Sequence, residues 1–501
     1  MPTYISTIGK FAGFSLIGVT SPRNEIVWET AKSHFNEEII EGLRTYHRSV
    51  PNLLTLYESV NFYNNKPAKK SDAMHVKIAI AKAFDAFRFK EKVAITRIED
   101  VKPTTFPLTT SPCLPYVRMG LRTKQEAWDT AMDDAKRMKY CVEHGIPTTF
   151  PPSMVFAKSK ICHRWERKTR AIWGKSLSLL ILEAMFVKSS WDEFKKGYTP
   201  AAYQVQAHHG QYQVLRSNLF DRNNNSYYVG LDFKKFDTSI PPWLIAAAFK
   251  VLEASIDFSR YTDGSRTDVE EMYKLWSRVK RTMIDTTFIM PDGWMFQKHT
   301  GVDSGSYIFQ LIENICTYIM VEAGLLSQGI ESTSGYVLGD DSLFWCRNQR
   351  KIDFKGLCDY IQREFGVTVS TDKSFVVNDL SEVKFLGRFI AGGIPKRNVC
   401  DIVLSLLFPG QPDDSVIDLC QRCVALYYEN AMTSVPCETF IKAVWEKIPA
   451  DVRANLERSV NLPWPRWWIK KFERMGMSVP RCCLPSVDVL FLLTSYRDVT
   501  C

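Results

Sequence analysis

The stretch that most constrains this chain is Gly335-Tyr-Val-Leu-Gly-Asp-Asp-Ser-Leu-Phe-Trp345. Two short apolar runs, Tyr336 to Leu338 and Leu343 to Trp345, flank Gly339-Asp340-Asp341, which predicts a tight β-hairpin with Gly and Asp at its turn. Adjacent carboxylates at a hairpin tip repel one another unless positive charge lies beside them, and hard oxygen donors favour Mg²⁺. An ordinary surface turn can carry the same residues, so the rest of the chain must decide between the two.

With 501 residues, 45% hydrophobic and 13% aromatic, the chain can bury a large core and form several subdomains. Its net charge of +9 is mild for this length, so the distribution of charge carries more information than the total. Thirteen cysteines without repeating spacing predict no disulfide framework and fit a reducing cytosol. The longest apolar run, Leu177 to Val187, contains Glu183 and is too short to span a bilayer. Residues 1 to 19 lack the pattern of a signal peptide, so a soluble intracellular protein is expected.

Apolar spacing predicts helices over 39–46 and 73–87, the second preceded and lined by Lys66, Lys69, Lys70, Lys77 and Lys82 as a solvated face. Thr104 to Tyr116 holds three prolines and five Thr or Ser residues and reads as a loop, followed by helix over 123–144. Lys158 to Lys175 carries seven Lys or Arg against one acid, interleaved with two tryptophans, a density suited to neutralising polyphosphate or a nucleic-acid backbone. In an extended strand, Lys168 and Arg170 project from one face.

Asn223–Asn225 marks a turn before a strand over 227–233, which carries Asp232 at its exit, well placed for a metal. Asp237 follows, and Pro241-Pro242 opens a helix. A hairpin over 285–299 turning at Pro291-Asp-Gly293 leads to Thr300-Gly-Val-Asp-Ser-Gly-Ser306, whose N–H groups and hydroxyls could meet a phosphate at the start of a helix over 307–323. A helix over 353–365, a strand and turn over 367–373 ending in Lys373, and a strand over 383–390 containing Gly387 follow. Beyond residue 395 the pattern is mainly helical, with Cys420, Cys423 and the tryptophans of 464–468 expected in its core.

As an ordered set these pieces resemble the motifs of viral RNA-dependent RNA polymerases over residues 110 to 390. Leu231-Asp-Phe-Lys-Lys-Phe-Asp237, Ile240-Pro-Pro-Trp243, Ser304-Gly-Ser-Tyr307 and Gly339-Asp-Asp-Ser342 are most similar to those of partitiviruses, and more distantly of picobirnaviruses. The resemblance implies an α+β, right-handed fingers–palm–thumb fold with an antiparallel palm sheet, helical fingers and a helical thumb. It places a bridging segment at 1–60, fingers at 61–173, palm at 174–394 with a fingers insertion around 250–298, and thumb at 395–501. Asp232 and Asp340, assisted by Asp341, would bind two Mg²⁺ ions, with Mn²⁺ able to substitute. Lys373 would protonate the leaving pyrophosphate. Lys168 and Arg170 would grip the triphosphate, and Lys158 and Lys160 would line its path. Asp237 would sense the ribose 2′-hydroxyl with a partner among Gln310, Glu313 and Asn314, of which amide chemistry favours Asn314. Ser304 and Gly305 would position template and nucleotide, Ser111 and Pro112 the template, and Lys384 and Arg388 the primer. Phe309 stands where many relatives carry threonine, and Cys113 where glycine is more usual.

The implied partners are RNA template and product duplex, ribonucleoside triphosphates and viral capsid protein, without a membrane. The implied location is the virion interior and host cytoplasm. A reverse transcriptase is disfavoured, because Gly339 replaces its typical aromatic-x dipeptide and Asp237 its aromatic steric gate. A non-catalytic RNA-binding protein would explain the basic segment but not Asp232, Asp340 and Asp341.

Overall fold

The computed structural model describes residues 4–16, 22–221, 226–347, 350–430, 434–459, 462–475, 477–486 and 489–490; the turn expected at Asn223–Asn225 lies outside them. At the centre, four antiparallel strands run in the order Ser334–Leu338, Asp341–Arg347, Ser226–Gly230, Phe375–Val377. Strand alternation divides their side chains between two cores. Phe344, Cys346 and Val229 join the main core, whereas Leu343, Trp345 and Tyr228 pack with Val383, Phe385 and Ile390 on the opposite face.

Beneath the sheet lies the helix Phe309–Leu326, close to the expected position. It is long and apolar enough to cross a membrane, yet 89% of it is buried inside the protein. Its Glu322, fully buried, is met by Lys82 Nζ at 3.1 Å, so one lysine expected on a solvated face points inward instead.

A second sheet has the order Ile5–Lys10, Trp294–Lys298, Thr287–Ile289, Ser153–Ser159, Thr169–Gly174. The hairpin expected around Pro291–Gly293 supplies two of its strands. The C-terminal helices Val399–Leu407, Val416–Asn430, Val435–Lys447, Ala450–Arg458 and Arg466–Arg474 surround a separate core that contains Cys420, Cys423 and Trp464. Trp467, expected inside with its neighbours, is instead 60% exposed.

The N-terminal region contributes to both bodies. Asn24 caps the helix Glu25–His34 by accepting from Val27 N at 3.1 Å, and Val27, Trp28 and Ala31 enter the C-terminal core. Ile40 and Leu43 of the next helix, Glu37–Arg44, do the same. The chain then becomes a strand, Tyr46–Arg48, paired with Ile161–His163, so the helix expected over 39–46 stops early.

Two other boundaries differ from the sequence reading. The pairing expected over 367–373 is made by Phe375–Val377, because 368–370 meets the chain after Gly230 through separate bonds, Lys234 N to Thr368 O and Ser370 N to Asp232 O, both 2.8 Å. The strand expected over 383–390 is a small hairpin, Lys384–Phe385 with Arg388–Phe389, because Leu386 and Gly387 both adopt positive φ.

Candidate active site

Leu338 pairs with Asp341, leaving Gly339-Asp340 as a two-residue turn. Gly339 has φ +67°, a left-handed conformation that costs glycine little. The helix below fastens this turn: Asn314 Oδ1 accepts from Gly339 N at 2.7 Å, and Thr317 Oγ1 donates to Gly339 O at 2.7 Å. Asn314 Nδ2 also donates to Tyr203 Oη at 2.9 Å. Ser342 Oγ bridges to the neighbouring strand, accepting from Leu231 N at 3.2 Å and donating to Leu231 O at 3.1 Å. These bonds set Asp340 beside Asp232, which leaves the end of the Ser226–Gly230 strand with its N–H given to Ser374 Oγ at 2.9 Å.

The carboxylates crowd one another. Burial, then the charge of Asp232, raises Asp340 above its usual range. Asp341 is pushed up to about 7 by burial and by Asp340, although Leu386 N donates to its Oδ2 at 2.9 Å. Glu313 is raised well above the carboxylate range through burial, then through the charges of Asp340 and Asp237. Lys373 Nζ lies 3.4 Å from Asp232 Oδ1.

Among the described residues no three His, Cys, Asp or Glu side chains close a metal shell by themselves. The donors nevertheless fit Mg²⁺, which is commonly held by one or two carboxylates together with water and substrate phosphates. Asp232 and Asp340 could supply such a pair of hard oxygen ligands.

Arg170 approaches from the second sheet, its Nη2 3.8 Å from Asp237 Oδ2. Burial raises Asp237, and Arg170 opposes that rise. Lys158 sits opposite Arg170 in the strand register. Burial, then Arg170, Lys158 and Lys168, depresses the proton affinity of Lys160. The sequence-predicted cations therefore gather within electrostatic reach of one another, and Arg170 carries the cluster to Asp237.

Ser304 and Gly305 lie on a loop anchored by buried charge. Gly305 N donates to Asp303 Oδ1 at 2.9 Å, and Ser153 Oγ to Asp303 Oδ2 at 3.1 Å. Glu183 Oε2 accepts from Ser306 Oγ at 3.0 Å and Tyr307 N at 2.6 Å. Lys175 Nζ joins the two acids, 2.8 Å from Glu183 Oε1 and 3.6 Å from Asp303 Oδ2. A Cβ on Gly305 would come within 2.3 Å of Trp173 O, so only glycine fits there. Lys298 Nζ, fully buried, donates to the carbonyls of Met283, Ile284, Thr300 and Gly301, and burial lowers it to about 7. Sequence reading did not single out Lys175, Asp303 or Lys298; the one available signal was Glu183 interrupting an apolar run.

Two expected contacts are corrected. Asn314 is spent on Gly339 and Tyr203, whereas Glu313, one helix position earlier, faces Asp237 and Asp340. Arg388 is 7% exposed and held by Glu429 Oε1 at 3.1 Å, together with Arg397 at 3.5 Å and Lys471, so it belongs to a buried ion cluster, not an open RNA surface. Lys384 lies over the Phe389 ring at 5.8 Å, and its charge opposes the rise of Asp341. Ser111 and Pro112 brace the loop, with Cys113 N donating to Ser111 Oγ at 3.2 Å and Leu177 N to Pro112 O at 3.1 Å. Cys113 takes φ +62°, which accounts for glycine being the easier residue there.

The crowding has a testable sign. A carboxyl whose folded pKa exceeds its unfolded value stabilises the fold fully below the unfolded value, and that contribution is lost as pH rises through the folded one. For Asp341 the window runs from 3.8 to about 7. In metal-free protein, Asp341→Asn is expected to be the more stable form at about pH 8, with little difference at about pH 4. Denaturant midpoints at the two pH values check this; parallel behaviour of wild type and variant would refute it.

The family model for viral RNA-dependent RNA polymerase matches residues 33–408. A curated RNA-directed RNA polymerase of Cryptosporidium parvum virus 1 (strain KSU-1) is 27% identical over 329 residues, 62% of this chain; the match spans 57% of that relative's length. The crystal structure of the RNA-dependent RNA polymerase of a human picobirnavirus shares the fold, with a TM-score of 0.66 at 13% identity, covering 87% of this chain and 85% of that one. The family match takes in four strands of the second sheet, the Ser304 loop and the Gly-Asp-Asp hairpin, and on that evidence the chain belongs to the viral RNA-dependent RNA polymerase family.

Proposed function

We propose that this chain synthesises RNA on an RNA template from ribonucleoside triphosphates, and that it replicates and transcribes the genome of a double-stranded RNA virus. The observation that carries this reading is the meeting of Asp232 and Asp340 at adjoining strand ends, opposite a cation cluster that reaches Asp237. Asp232 and Asp340, with Asp341 assisting, would hold two Mg²⁺ ions, or Mn²⁺ in their place. Bound there, the ions would supply charge neutralisation for attack by the primer 3′-hydroxyl and departure of pyrophosphate.

The protein's own groups do the remainder. Lys158, Lys160, Lys168 and Arg170 would hold the triphosphate, and Lys373 would deliver a proton to the leaving group. Asp237 would accept from the ribose 2′-hydroxyl, with Glu313 as its neighbour. Ser304 and Gly305, on their anchored loop, would position template and nucleotide, Ser111 and Pro112 would support the template path, and Lys384 the primer. The division into a bridging segment (1–60), fingers (61–173, with the 250–298 insertion), palm (174–394) and thumb (395–501) follows the same reading. Capsid protein is the proposed partner, with the virion interior and host cytoplasm as sites of action.

The purified chain, given single-stranded RNA, Mg²⁺ and four ribonucleotides, is expected to make template-length product, and none with deoxynucleotides. Efficient use of deoxynucleotides would favour reverse transcription instead. RNA binding without synthesis, even when coat protein is added, would favour a scaffold.

A further inference from the structure

The basic segment contains two tryptophans in opposite environments. Trp173 is 3% exposed and its Nε1 donates to Tyr63 Oη at 3.1 Å, so it belongs to the core. Trp165, in the turn between Ile161–His163 and Thr169–Gly174, is 71% exposed.

Its ring is nevertheless held in place. Trp165 lies on His163 with centroids 4.4 Å apart and 7° between planes, and His163 lies on Tyr46 at 4.1 Å and 33°. The turn that carries this stack is tied to the N-terminal segment: Arg164 N donates to Thr45 O at 2.7 Å, and Thr45 Oγ1 meets His163 Nδ1 at 2.9 Å. It is also closed on itself, with Glu166 N donating to His163 O at 2.9 Å and His163 N to Glu166 Oε2 at 3.2 Å. One indole face is covered by His163 and the other is open. What continues a ladder of rings is another flat aromatic ring.

The surrounding charge narrows the choice. Arg164, Arg167 and Lys168 are all exposed around the turn, and Lys158 and Arg170 pair across the adjoining strands. The lone acid, Glu166, is 4.0 Å from Lys168. A flat ring with phosphate attached satisfies both features, and sequence-tolerant binders of single strands combine aromatic platforms with basic grooves in this way.

We propose that the open face of Trp165 stacks an unpaired nucleobase, with Arg164, Arg167 and Lys168 taking its phosphates. The base belongs either to the template strand or to an incoming ribonucleotide. This inference rests on the polymerase reading above.

The test uses the full chain as wild type, Trp165→Ala and Trp165→Phe. Two quantities are measured: the Kd for a labelled single-stranded oligoadenylate, and the KM for ribonucleotide at saturating template. In Trp165→Ala one of them is expected to rise about ten-fold, with Trp165→Phe retaining most of the affinity. A rise in Kd alone identifies template as the source, and a rise in KM alone the nucleotide. Both quantities unchanged within about two-fold, or equal losses in the two variants, would overturn the inference. Wild type that neither binds RNA nor makes product overturns the polymerase reading itself, a result distinct from the other two.

Discussion

Asp340→Asn is expected to lower nucleotide incorporation by about a thousand-fold or more while raising the stability of the metal-free protein. Both effects have one origin. Asp340 lies at the turn beside a half-buried Asp232, and that pairing costs the fold free energy because two like charges are held close together. Asparagine keeps the shape and removes the repulsion. It also removes half of the hard-oxygen pair on which cation binding would depend. Incorporation on primed RNA, thermal melting without metal and RNA affinity together check the claim. The turn's anchors, Asn314 and Thr317 on Gly339, are untouched by the change, so RNA affinity should hold. A variant with substantial activity, or one less stable than wild type, would contradict it.

Lys175→Met should instead cost stability, about 3–5 kcal/mol, because it strands two buried carboxylates. Lys175, Glu183 and Asp303 are each at most 1% exposed at the side chain. Burial works against the charge on Lys175, but Glu183 and Asp303 outweigh it and push its proton affinity up. Removing the cation leaves the acids that hold Gly305, Ser306 and Tyr307 repelling each other. Urea unfolding should show the loss directly, and activity at permissive temperature should fall because the loop bearing Ser304 loses its anchor. A loss below about 1 kcal/mol would mean that the cluster is more hydrated than its burial indicates.

These two sites also mark what could be read from the chain. The Gly-Asp-Asp hairpin was legible because two short apolar runs flanking a glycine turn are local signals, and the structure pairs Leu338 with Asp341 accordingly. Asp232 was legible as a strand exit for the same reason, although the strand ends at Gly230. The choice between Glu313 and Asn314 was not, because it depends on the phase of one helix against the turn at Gly339, which only tertiary packing sets. Arg388 was assigned to the primer by the resemblance alone; its partner Glu429 is remote in sequence, and only packing brings them together. Glu183 announced itself as a charge in an apolar run, but nothing local named Lys175 or Asp303 as its counterions. Local pattern specifies elements and turns, whereas buried ion networks are written in the tertiary fold.

The junction at Thr45 has a mechanical consequence. It alone separates the helix Glu37–Arg44, rooted in the C-terminal core by Ile40 and Leu43, from the strand Tyr46–Arg48, which is zipped to Ile161–His163. There is no slack between the two anchorages. Spreading them apart means unzipping the strand pair or withdrawing both aliphatic side chains, at roughly 1.5–3 kcal/mol apiece. A body latched in this way resists opening along that seam, so the strand Tyr46–Arg48 works as a strap and not as a hinge.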